Sequence, residues 1–280
     1  MSVHVSVRDY LYEEPGPKTR RAIRVGTAIS VLALVALLAL IVRSFAVAGQ
    51  LDPKYWSFFL SLATWRFLGM GLVGTIEVAL TAGILALVLG FILMLMRMSS
   101  YAVLRGIARV ITEFFRGVPS LLLIYFFFLV IPQYGFKMNT FWMITTPVAL
   151  AASAVLAEVF RAGMNAVPVG QTEAALSLGM RPFMVKMKIV FPQAVRIVIP
   201  SLISQLVVVV KDTTVAYVVS FPDMLQNARV LIANYDALVS TYLVIAVVYI
   251  LINYGVNQLA IYVSKRSGGT IVTQTNIDPV

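Results

Sequence analysis

Residues 173–192 read EAALSLGMRPFMVKMKIVFP and stand between two long apolar runs. A carboxylate at Glu173, two small residues at Ala174 and Ala175, and a glycine at Gly179 predict a two-turn helix. Gly170 ends the preceding segment, and Glu173 is expected in the first turn, where a negative charge suits the positive end of the helix dipole. Gly179 is placed to stop the helix as a left-handed residue. Ala174 and Ala175 then face something that packs close. Membrane helices are usually joined by loops, so a rigid polar-tipped knob at this place reads as a part made to fit another protein.

The flanking runs set the class. The chain has 280 residues, 60% of them hydrophobic, with a mean hydropathy of +0.91, whereas soluble domains are about 45–50% apolar. Spanning a bilayer takes about 20 apolar residues per helix. Six runs qualify: 23–47, 68–96, 111–132, 143–162, 194–219 and 238–263. Backbone groups facing lipid must be satisfied within their own segment, so the expectation is an all-α integral membrane protein. Residues 163–193 form the connection that holds the knob, and 1–22 and 264–280 are expected as polar tails. Glycines and alanines crowd the second and fourth runs, which predicts interior helices in close contact.

Charge gives the expected orientation. The net charge of +10 is distributed by side rather than clustered as a nucleic-acid footprint. Arg8 to Arg24, Arg97 to Arg116, Arg161 to Arg196 and Lys265-Arg266 fall on one side. Arg43, Lys54, Arg66, Lys137 and Arg229 fall on the other. The positive-inside rule then assigns both termini to the cytoplasm. Cysteine is absent and His4 is the single histidine, so no cysteine chemistry and no metal site is expected. The first run lacks a small-residue cleavage signature and reads as a retained helix.

Three further groups invite a role. Lys211 and Asp212 interrupt an apolar run, with Thr213 and Thr214 beside them. Charge at membrane depth is costly unless paired or wet. If the helix loosens there, Asp212 can take an ammonium and Lys211 a carboxylate; otherwise the two form an internal ion pair. Glu77, in the glycine-rich second run, faces the same cavity or lies near the interface. Glu113/Arg116 and Glu158/Arg161 have the i, i+3 spacing that brings opposite charges to one helix face, as a gate, a brace or ordinary ion pairs.

The run Ala157-Glu158-Val159-Phe160-Arg161-Ala162-Gly163, then Val167-Pro168, Gly170-Gln171, Glu173-Ala174-Ala175 and Gly179-Met180, resembles the polar amino acid branch of permease subunits of ATP-binding-cassette importers. Glu113-Phe114-Phe115-Arg116-Gly117-Val118-Pro119 resembles that branch's signature at the third helix. The likeness covers about residues 68–263. Phe191 stands where the family usually has leucine, and apolar residues at 121–123 replace a glutamine often found there.

The resemblance implies a type I importer (MetI-like) fold of six transmembrane helices in the plasma membrane. It implies an ABC ATPase dimer on the cytoplasmic side, a second permease subunit, identical or homologous, and an extracytoplasmic amino-acid-binding protein. The cargo it implies is a polar amino acid, with glutamate or a relative favoured. Glu173, Ala174, Ala175 and Gly179 would then couple to the ATPase. No Walker A pattern occurs, so ATP and Mg²⁺ belong to that partner, and the chain is expected to be no enzyme and to hold no cofactor. The alternatives are an ion-gradient-driven transporter, which would want more buried acids and a helix-group repeat, and a non-transporting membrane scaffold or receptor.

Overall fold

The computed structural model describes residues 16–266 and is helical almost throughout. The parts of the two expected tails that lie in 1–15 and 267–280, with His4, fall outside the described residues. Two compact units divide the chain at Ser57 and Phe58. The first contains α1, Pro17–Val47, on which no side chain is buried. Its most apolar 18-residue stretch, with a mean hydropathy of 2.8, is the most apolar among the candidate spans of the described residues. It starts at a proline, whose missing N–H costs nothing at a helix N-terminus, so residues 17–22 are helical rather than tail.

The second unit is a bundle. Its elements are α2 (Leu62–Arg97), α3 (Ala102–Gly117), α4 (Ser120–Tyr134), α5 (Thr140–Ala166), α6 (Val169–Ser177), α7 (Pro182–Val219), α8 (Met224–Tyr235) and α9 (Leu238–Arg266). Together with α1, the described residues hold five helices long and apolar enough to cross a membrane, or six if the bent pair α3 and α4 counts as one.

That pair corrects the expected span at 111–132. The chain bends by 100° between α3 and α4. Proline disfavours helical backbone in the residue before it, and Val118, preceding Pro119, is extended at φ −91° and ψ 124°. Residues 111–117 therefore belong to an amphipathic helix, and the apolar stretch begins at Ser120. Within α4, residues 126–130 widen to a π turn before a tight turn ends at Gly135.

The core lies between α2 and α5. The side chains at their contact are small: Ala82, Ala86, Ala149, Ala152 and Ala157 are at most 5% exposed. Close approach of the backbones follows. A Cβ placed on Gly90 would meet the Ser153 carbonyl oxygen at 2.9 Å and the Ala157 nitrogen at 3.2 Å. α7 packs against α5 and α2, α8 sits on α2, and α9 is mostly exposed.

Candidate coupling and translocation site

The knob is present as α6, bounded differently from the expectation. Pro168 precedes it, so Gly170 lies inside the first turn and Glu173 in the second. Its end is a Schellman motif. The Gly179 N–H donates to the Leu176 carbonyl at 2.9 Å and the Met180 N–H to the Ala175 carbonyl at 3.2 Å. Gly179 has φ +79°, where an L side chain is strained. Ala175 is 5% exposed and packs into the chain's own core, correcting the expectation that both alanines face outward. Gly170, Glu173, Ala174 and Ser177 share the opposite, exposed face, and Leu178 just beyond is 84% exposed. Gln193 on α7 donates to the Gln171 side chain at 3.3 Å and ties α6 to the bundle.

At the same end of the bundle, Glu158 on α5 gathers three guanidinium groups. Arg97, from the last turn of α2, hydrogen-bonds its Oε1, and Arg161 reaches Oε2 at 2.7 Å. Arg116 stands 4.0 Å from Oε1 and 3.6 Å from Glu113. Both i, i+3 pairs therefore form, and the cluster joins α2, α3 and α5. Arg97 and Glu158 are largely buried, whereas Glu113 is more than half exposed. A half-wet pair such as Glu113 and Arg116 contributes little. The Arg97–Glu158 contact links residues 61 positions apart, which no local spacing rule could have found.

The charged pair on α7 is arranged otherwise than expected. The helix does not loosen at Lys211: it stays α-helical to Thr213 and then tightens into a 3₁₀ turn. Neighbouring residues on a helix do not face each other, and among the described residues no ion pair joins Lys211 to Asp212. Lys211 is exposed and Asp212 half-buried. Ser120, the first residue after the bend, directs its hydroxyl toward the Asp212 carboxylate. Thr213 is fully buried, its hydroxyl donating to the Val210 carbonyl at 2.7 Å. It is therefore not a free hydroxyl for cargo. The Thr214 hydroxyl donates to the Lys211 carbonyl at 2.6 Å. Glu77 is exposed on α2, on the side away from buried Thr75 and Val78.

The opposite end of the bundle holds a polar group that no local pattern in the chain singles out. Asp223 is fully buried and caps α8, accepting from the Gln226 N–H at 2.7 Å. The Met224 N–H donates to the Thr75 hydroxyl, and the Asn227 amide to the Phe67 carbonyl at 2.7 Å. The helices approach so closely that a Cβ on Gly71 would lie 2.7 Å from the Asp223 carbonyl oxygen. Burial raises the Asp223 pKa from its usual 3.8 to about 6, against the backbone hydrogen bonds that lower it.

Residues 83–268 match the family model for the inner membrane component of binding-protein-dependent transport systems. The chain belongs to this family. The glutamate transport system permease protein GluD of Corynebacterium glutamicum is 34% identical over 226 residues, 78% of this chain and 81% of that protein. The probable glutamine ABC transporter permease protein GlnP of Bacillus subtilis is 32% identical over 197 residues, 69% of this chain and 90% of that one. Among solved structures, an amino acid ABC transporter crystallised with histidines superposes with a TM-score of 0.71 at 27% identity, covering 75% of this chain and 98% of that one. The MetNI methionine transporter, at 15% identity and a TM-score of 0.62, shares the fold. As a member of the family, the chain is a multi-pass membrane permease with the MetI-like type I fold. The matched region contains α6, Glu158 and Lys211-Asp212, and it leaves out α1 and Glu77.

Proposed function

We propose that this permease is the membrane subunit of an ATP-driven importer of polar amino acids, with glutamate or a close relative as cargo. The observation that carries this reading is α6, a short helix with one flank sunk in the bundle and the other, Glu173, Ala174 and Ser177, exposed. α6 is the coupling helix, seated in a cleft of a cytoplasmic ATPase dimer that binds ATP and Mg²⁺, and both termini of the chain are cytoplasmic. Hydrolysis moves α6. Because Ala175 is packed into the core and Gln193 holds Gln171, that motion is delivered to α7 and the bundle rather than absorbed by a loop.

A second permease subunit, identical or homologous, completes the translocation path, and an extracytoplasmic binding protein delivers the amino acid. An uncovered ammonium at membrane depth is costly unless it faces a wet path or a partner, which supports a position for exposed Lys211 on that path. Lys211 is the contact for a cargo carboxylate, and Asp212, on a different face of the unbroken helix, is a further contact with Thr214 and Glu77. Glu158 and its arginines brace the helix ends near α6.

Amino acid names recur among the relatives, including glutamate, glutamine and arginine, and Lys211 favours a cargo with an extra carboxylate. The test is co-purification with the ATPase, followed by ATPase and uptake assays with a panel of amino acids and candidate binding proteins. Uptake that requires ATP, with ATPase stimulated by loaded binding protein, is expected. Uptake that continues without ATP and collapses with the ion gradient would replace this reading with a secondary transporter.

A further inference from the structure

The turn that joins α2 to α3 and the first turns of α7 enclose a cavity of about 300 Å³. At ~30 Å³ for a water-sized group, it has room for roughly ten such groups, the length of a medium alkyl chain. Its floor and walls are soft and apolar: Met94 and Met164 are buried, and Met98 and Phe183 flank them. Methionine thioethers adapt to irregular apolar guests. The polar side chains of the lining are Lys186, Ser99, Ser100 and Tyr101. The Lys186 ammonium donates to the Met98 carbonyl at 3.2 Å, which uses one of its three hydrogens. No acidic residue lines the cavity, so the cation has no counter-charge there.

We infer that this cavity binds an anionic amphiphile, its alkyl chain among the methionines and its carboxylate or phosphate on Lys186. The same segment of α7 that lines the cavity turns Val185, 1% exposed, into the core beside α6. An occupant therefore stiffens the wall against which α6 rests. This last consequence relies on α6 being the coupling helix; the binding itself does not.

The test uses the full chain in phosphatidylcholine nanodiscs with photoreactive lauric acid, and the labelled peptides are mapped. Label is expected on 94–101 and 182–187. Lys186→Gln is expected to weaken labelling by about tenfold or more, as loss of one charge-assisted contact would, while Lys186→Arg retains it. Competition by phosphatidylglycerol identifies a membrane lipid as the occupant, and competition by free laurate alone identifies a fatty acid. Both outcomes support the inference. Equal labelling of Lys186→Gln, or equal competition by uncharged lauryl alcohol, overturns it. Retained labelling of Lys186→Arg shows that the fold survives at this site, and Met164→Trp, which fills the cavity without touching the cation, should abolish labelling. Labelling is read without nucleotide, so a missing ATPase response would count against the importer reading and leave the cavity assignment standing.

Discussion

Gly179 offers the sharpest test of the coupling role proposed for α6. A Cβ there would meet nothing within 4 Å, yet the residue sits at φ +79°. Any loss on substitution is therefore conformational rather than steric. A left-handed backbone costs an L residue about 1–2 kcal/mol, and asparagine is the usual exception. β-branched residues suffer most. Paid by α6 alone, this cost shifts the ratio of capped to frayed helix end by roughly 5- to 30-fold, because two hydrogen bonds, from Gly179 and Met180, depend on that backbone. The expected order of coupled transport is Gly179 ≈ Asn > Ala > Val. Insertion and thermal stability should stay near wild type, since α6 is nine residues at the margin of the bundle. Proteoliposome uptake is measured beside ATPase activity, and coupling is read as their ratio. If Gly179→Val transports normally, or if Gly179→Asn is as damaged as Gly179→Val, the capping argument fails.

Removing the carboxylate at Glu158 leaves Arg97, which is 12% exposed, without its partner. Breaking such a pair costs about 3–5 kcal/mol when fully buried, so with Glu158 at 19% exposure we expect ~2–3 kcal/mol and a melting point of the purified permease lowered by roughly 5–10 °C. The double variant Arg97→Met with Glu158→Met should recover much of that loss; an equally unstable double variant would show that the pair is not the cause. Lys211→Met should raise the transport KM for an acidic amino acid by about tenfold, the worth of one charged hydrogen bond, with Lys211→Arg nearer to wild type. An unchanged KM would remove Lys211 from the path. Asp223 predicts a pH effect of fixed sign. Its folded pKa of about 6 lies above the unfolded value, so the folded state holds the proton more tightly. Stability from this group is therefore full below about pH 4, falls by ~3 kcal/mol as pH rises to about 6, and is level above that. Asp223→Asn keeps an acceptor for the Gln226 N–H and should flatten that slope in thermal melts across the range.

Composition and pattern alone were enough for an all-helical membrane protein. A run of twenty apolar residues has only one satisfied form in lipid, and a helix cap is decided by residues within one turn of each other. For that reason the existence of α6 and the role of Gly179 as its stop were legible, as were the ion pairs of Glu113 with Arg116 and of Glu158 with Arg161. The bend at Val118-Pro119 was also written locally, in the restriction proline places on its neighbour, although the apolar count hid it by running a span through 111–132. Other features depended on which helix faces which. Ala175 turns inward and Ala174 outward because α7 covers one flank of α6, and two adjacent alanines carry no sign of that. Arg97 finds Glu158 because small residues around Gly90 let α2 and α5 close on each other. Thr213 is lost to cargo, and Asp223 is sunk beneath α8, through packing of helices far apart in the chain. Short-range hydrogen bonds and lipid solvation are properties of a segment, but burial and long-range charge pairing exist only once several segments share one volume.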